Sequence, residues 1–148
     1  MKDNPPNQKI KVYIAGKLCS ESEREFLEKL AKIAEGLGFE TFLPHRDVGL
    51  VQGMEDIEKA FKGDIINGFK NISLVIADLN GLHIGAGTAW ELGYAYAKGI
   101  PIIGIKEDES IEDALESLSA IIIHSTKIVN TLEELRKNLE QFKINQAF

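Results

Sequence analysis

Glu91, Asp64 and Tyr13 are the side chains of this sequence whose types and surroundings could break and make covalent bonds. Glu91 lies in the stretch from Asn80 to Pro101, NGLHIGAGTAWELGYAYAKGIP, where Gly81, Gly85, Gly87 and Gly93 surround a single acidic residue. Glycine lets a backbone turn sharply and approach a ligand closely. A helix starting at about Thr88 would direct its unpaired N–H groups and positive dipole end into the same space. In the first turn of that helix Glu91 would be held ionised, as suits a nucleophile or a stabiliser of positive charge. The same residues have a structural reading. Thr88 and Glu91 show the S/T-x-x-E spacing of a capping box, repeated at Ser20/Glu23 and Thr131/Glu134.

Asp64 stands out by its position in a helix expected from about Met54 to Phe69. Ile57, Ala60, Phe61 and Gly68 trace its apolar stripe, and Asp64 falls on that stripe. A carboxylate pointing into a core is costly unless it is paired or used; one that merely borders the face stays solvated. In an apolar place it suits proton exchange. Two carboxylates in unlike environments across one crevice are the arrangement that cleaves glycosidic bonds through an oxocarbenium-like transition state. Tyr13, near the end of a first strand, could orient the nucleophile or simply pack in the core with its hydroxyl hydrogen-bonded.

Other chemistries find no support. His45, His83 and His124 are scattered, and no cluster has metal-ligand spacing. Cys19, the single cysteine, has no histidine near it in sequence and cannot form an intrachain disulfide. GxGxxG and P-loop patterns are absent, so dinucleotide and NTPase readings lack support.

The elements that must position these residues alternate. Strands are expected at Lys9–Ala15, Phe39–Leu43, Asn71–Asp78, Pro101–Ile105 and Thr126–Val129. Helices are expected after Ser20 or Ser22, over Met54–Phe69, Thr88–Lys98 and Asp108 or Ser110 to Ser119, and from the Thr131 cap through Leu132, Leu135, Leu139 and Phe142. Ala120–His124 fits either a helix end or a strand. Asn71–Asp78 is apolar enough for a strand covered on both faces. Five such alternations describe an α/β three-layer sandwich with a parallel sheet, in the flavodoxin-like order 2-1-3-4-5. In that order the first and third strands adjoin at the switch point, so the loops bearing Gly16 and Lys17 and the loop after Asp78 share one crevice.

The 148 residues are expected to form a single domain, with Met1–Gln8 a loose arm. A formal charge of -6 with no basic stripe argues against a nucleic-acid polymer as partner, but not against one nucleotide. No apolar run approaches the roughly 18 residues of a membrane span and no signal peptide opens the chain, so a cytoplasmic location is expected.

VYIAG, LPHRD and ADLNG…GTAWELGYAYAKGIPI resemble the nucleoside 2-deoxyribosyltransferase family over roughly residues 9–142. The resemblance implies a flavodoxin-like fold and a homo-oligomer built from dimers, with sites shared between subunits. It also implies a covalent 2-deoxyribosyl intermediate on the glutamate and no cofactor. By position, Glu91 is the nucleophile, Asp64 the carboxylate assisting at the base, and Tyr13 the residue that positions Glu91.

One departure bears on the substrate. Transferases of the family usually carry an aspartate six residues before the nucleophile, holding the sugar 5'-hydroxyl; here Gly85 takes that place, followed by Ala86, Gly87 and Thr88. Related 2'-deoxynucleoside 5'-phosphate N-hydrolases use a serine there and another from the neighbouring subunit, where Ser119 falls in this chain. Their first-loop arginine is replaced by Cys19, while GTAWELGYA is closer to the transferases. A helix start without a carboxylate is a ready anion site, to which Lys17 can add charge. The balance leans to hydrolysis of 2'-deoxynucleoside 5'-monophosphates to free nucleobase. Base exchange on free 2'-deoxynucleosides is the alternative, and a non-catalytic nucleotide-binding module the reading from another class.

Overall fold

In β1 (Lys11–Ala15) the alternation of side chains sends Val12 and Ile14 to one face of the sheet and Tyr13 and Ala15 to the other. β3 (Ile72–Asp78) repeats the pattern, with Leu74 and Ile76 opposite Val75 and Ala77. The structure, a computed structural model, describes residues 8–147; the expected arm, apart from Gln8, lies outside the described residues. β1 and β3 are joined by β2 (Glu40–Phe42), β4 (Ile102–Ile105) and β5 (Lys127–Val129) in a five-stranded parallel sheet of order β2-β1-β3-β4-β5. That is the flavodoxin-like order expected from the sequence.

Two helical layers sandwich the sheet. α1 (Glu21–Gly36) and α6 (Leu132–Ala147) cover the Val12 face with Leu27, Leu30, Ala34, Leu135 and Leu139. Both are capped as their sequences indicate. The Ser20 hydroxyl accepts from the Glu23 N–H at 3.2 Å, and the Thr131 hydroxyl from the Glu134 N–H at 3.0 Å. The Tyr13 face is covered by α4 (Ala86–Ala97), α5 (Ala120–Ser125) and the segment around Ile65 and Phe69. Short α2 (Pro44–Asp47) follows β2, and Arg46 ties it down by donating to the Thr41 carbonyl, Glu35 and Asp47.

Three expectations are corrected. The Met54–Phe69 helix is composite: a 3-10 turn at Met54–Asp56, α3 (Ile57–Phe61), then a π-helical turn over Lys62–Asn67. Its anticipated stripe is not the buried face, since Ile57 and Phe61 are about half exposed, at 48% and 50%, while Ile65 and Phe69 are buried. The helix expected to end near Ser119 is reduced to one 3-10 turn, Asp113–Leu115, with the Ser110 hydroxyl accepting from the Asp113 N–H. Ser119 instead caps α5, accepting from the Ile121 N–H at 3.2 Å, which resolves Ala120–His124 as helix.

Candidate active site

α4 begins at Ala86, two residues earlier than the sequence indicates. Gly85 takes φ 87° and ψ 147° at its entrance, a conformation that L side chains avoid, and no side chain caps the helix. Thr88 is therefore inside the first turn and buried, and Glu91 lies in the second. The Thr88/Glu91 capping box does not form, which frees Glu91 from the helix end.

The expectation that the dipole holds Glu91 ionised is also corrected. Burial pushes its carboxyl up to about 8, an effect that Asp64 adds to and the Tyr13 hydroxyl opposes. The second-turn position takes the carboxylate beyond the reach of the N-terminal partial charge, which falls off within one turn.

Asp64 reaches the same place from the π turn. There the Gly68 N–H donates to the Gly63 carbonyl, five residues back, at 2.8 Å. Gly68 permits this because a side chain on it would run into the Asp64 carbonyl and the Phe42 ring. Burial raises the Asp64 carboxyl to about 6, so it does not merely border solvent.

Tyr13 is fully buried between Phe42 and Phe69, with ring centroids 5.3 and 4.2 Å away. Its hydroxyl is aimed at Glu91 yet has no partner in good hydrogen-bond geometry among the described residues; the same holds for Glu91 Oε2 and Asp64 Oδ1. Burial, then the nearby Glu91 and Asp64 charges, raises the phenol far above its ordinary range, so it stays a donor. Three buried polar groups thus converge without satisfying one another. Structure retains such groups when something else uses them.

The first and third loops meet as the topology requires. A side chain on Gly16 would sit 3.2 Å from Asp78 Cβ, and Lys17 lies across the third loop. Its Nζ is 3.0 Å from the Cβ that a residue 81 side chain would have, and its Cγ 3.1 Å from that of residue 85. Asp78 is buried, raised by that burial, and accepts from the Asn80 N–H at 3.0 Å. The N–H groups of Ala86, Gly87 and Thr88 open α4 beside Lys17, with the first intrahelical bond running from Ala89 N–H to the Gly85 carbonyl. Ser119 is exposed at the start of α5, where its hydroxyl is engaged as the helix cap. Among the described residues no group of His, Cys, Asp and Glu could hold a metal ion, and no helix is long and apolar enough to cross a membrane.

A parallel α/β domain with two carboxylates and a tyrosine converging at its switch point is the scaffold of an enzyme acting on a small ligand in the crevice. The chain belongs to the nucleoside 2-deoxyribosyltransferase family, whose model matches residues 12–142. Membership supports an enzyme of the glycosyl-transferring or N-glycosidase kind, with nucleosides and nucleobases as its substrate class.

No curated protein sequence matches the chain. Among solved structures, a conserved protein from Enterococcus faecalis V583 is similar at 24% identity and TM-score 0.67, covering 90% of this chain and 99% of its own. A 2-deoxyribosyltransferase from the psychrotolerant bacterium Bacillus psychrosaccharolyticus has 21% identity and TM-score 0.69, covering 85% and 90%. The CMP N-glycosidase of Clostridium botulinum has 20% identity and TM-score 0.53, covering 88% and 98%. At these identities the likenesses establish the fold.

Proposed function

We propose that this protein is an N-glycosidase acting on 2'-deoxynucleoside 5'-monophosphates, through a covalent 2-deoxyribosyl ester on Glu91 that water resolves. The observation that carries the phosphate preference is Gly85. The helix entrance has no carboxylate, leaves the Ala86–Thr88 N–H groups open, and has Lys17 lying across it. In this reading Gly16 and Asp78 line the sugar end of the crevice. Ser119 adds a hydroxyl to the phosphate from the partner of a cytoplasmic homodimer. A structural neighbour named as a CMP N-glycosidase is consistent with a fold that accepts a nucleoside monophosphate.

The mechanism balances with no metal or organic cofactor. Glu91 attacks the anomeric carbon as the bond to the base nitrogen breaks, and the departing base receives the proton held by Asp64. Water, activated by the Asp64 carboxylate, then attacks the same carbon from the vacated side; Glu91 leaves and configuration is retained. Tyr13, stacked in place, donates toward Glu91 and favours its ionised form.

Catalysis needs one proton on the pair, on Asp64 and not on Glu91. With the carboxyls at about 6 for Asp64 and about 8 for Glu91, the singly protonated pair exists between those values mainly with its proton on Glu91, and the productive form, with the proton on Asp64, is its minor tautomer. The pH profile of kcat/KM is expected to be a bell with apparent limbs near these two values. A flat profile from pH 5 to 9 would remove the carboxylate pair from the mechanism.

Base exchange on free nucleosides is the second reading, favoured by the GTAWELGYA wording around Glu91. Incubation with deoxyguanosine or its 5'-monophosphate, each with and without adenine, separates the two. Free guanine from the monophosphate alone supports the hydrolase; deoxyadenosine formed only when adenine is present establishes the transferase. Lys17→Met is expected to raise KM for the monophosphate about tenfold, the value of one charge-assisted contact, and to leave KM for deoxyguanosine unchanged. Equal effects on both substrates would place Lys17 away from the phosphate.

A further inference from the structure

Lys106 is a charged residue at 1% exposure, immediately beyond β4. Burying an ammonium is costly unless its donors are matched to acceptors. Here each is matched. Nζ donates to the Leu79 carbonyl at 3.1 Å, the Gly81 carbonyl at 3.3 Å and Asp108 Oδ1 at 2.9 Å. Asp108 Oδ2 in turn accepts from the Gly81 N–H at 2.8 Å, and the Glu107 N–H donates to Asn80 Oδ1 at 2.7 Å. Both backbone groups of Gly81 are thus held by one ion pair, at a residue whose φ is +92°.

This network holds the start of the loop that carries Gly81 and Gly85 into α4. Leu79 is fully buried and packs over Gly104, where a side chain would collide with it. The Asn130 amide closes the back of the network by donating to the Lys106 and Glu109 carbonyls at 3.0 and 3.2 Å. Nothing in the network touches Glu91 or Asp64, so its effect on chemistry must pass through the loop backbone.

We propose that Lys106 and Asp108 are positioning residues that hold the Leu79–Gly85 loop in the conformation that receives the sugar and its 5' substituent. The proposal rests on the glycosidase reading for its kinetic part, and on the geometry of Gly81 alone for its structural part. An unbraced glycine loop samples many conformations, only a fraction of them competent to bind, and that fraction divides the apparent affinity. The loss therefore falls on KM more than on kcat.

The test compares Asp108→Ala, Lys106→Met and Lys106→Arg with the unaltered protein and with Glu91→Gln. Asp108 is half exposed, with 45% of its side chain accessible, so its alanine variant is expected to fold even where Lys106→Met does not. Asp108→Ala should speed hydrogen exchange at the Gly81 amide at least tenfold. It should also raise KM for deoxyguanosine 5'-monophosphate about tenfold with kcat within about twofold, both below its melting temperature. Lys106→Arg, which keeps the charge and can reach the carbonyls, should recover most of what Lys106→Met loses.

Unchanged exchange in Asp108→Ala, or faster exchange with an unchanged KM, would overturn the proposal. A protein that cleaves no nucleoside or nucleotide before or after Glu91→Gln would instead count against the glycosidase reading. The exchange measurement would still decide whether the brace holds the loop.

Discussion

Glu91→Gln is expected to reduce glycosidic cleavage by about 10³-fold or more while making the protein more resistant to heat at neutral and alkaline pH. The first effect follows from the role: glutamine has nearly the shape of glutamate but cannot form the sugar ester. The second follows from burial. The folded protein raises the Glu91 carboxyl to about 8, so between its unfolded value of 4.5 and that point the native state binds the extra proton. Stability linked to Glu91 is accordingly full below the unfolded value and is lost as pH rises through the folded one.

A shift of that size corresponds to a few kcal/mol, enough to move the melting temperature by several degrees. The gap in melting temperature between Glu91→Gln and the unaltered protein should open from about pH 5, widen to about pH 8 and then stay constant. Asp64, raised to about 6, has the same sign over a lower window, so Asp64→Asn should show a smaller gap that levels off earlier, at about pH 6. A variant that lost activity and stability together at pH 8 would make Glu91 a structural residue. Retained nucleotide binding together with an unaltered protein that never turns over would favour a sensing module.

The features legible in the sequence were those written in local chemistry. Short apolar runs marked all five strands, and their alternation with helices indicated a parallel sheet. Ser20 and Thr131 marked two helix starts. Glu91, Asp64 and Tyr13 could be singled out one at a time, as an acidic residue among glycines, a carboxylate on an apolar stripe and a tyrosine on a first strand. What sequence could not show was their relative aim.

Two local devices decide that aim, and both depart from ideal helical geometry. Gly85 with positive φ starts α4 early, so the Thr88/Glu91 spacing that mimics a capping box is not used as one. The π turn at Lys62–Asn67 rotates Asp64 relative to a straight helix, so the stripe through Ile57 and Phe61 is left half exposed while Ile65 and Phe69 pack under Tyr13. The burial of Lys106 is not legible in the sequence, because IKEDES reads as a charged surface loop. Its one signal is a lysine following IIGI with no turn residue between them, which leaves it near the buried end of a strand.

The phosphate preference can be inverted at Gly85. In Gly85→Asp the new Cβ would lie 3.1 Å from Lys17 Cγ, tight enough to displace the lysine stem, and the carboxylate would sit beside the Lys17 amine. Two consequences combine. The cation is neutralised by an internal partner, and a fixed negative charge faces the site proposed for the 5'-phosphate; like charges brought together in an interface cost several kcal/mol. The expected result is a fall of about 100-fold in kcat/KM for deoxyguanosine 5'-monophosphate, with deoxyguanosine affected far less or improved through a hydrogen bond to its 5'-hydroxyl. Backbone strain is the competing cause, because any side chain at φ 87° costs about 1–3 kcal/mol. Gly85→Ala isolates it: alanine has the same Cβ and the same strain but no charge, and should weaken both substrates alike. If alanine and aspartate changed the ratio between the two substrates equally, geometry and not charge would govern the entrance to α4, and the phosphate would have to be held elsewhere.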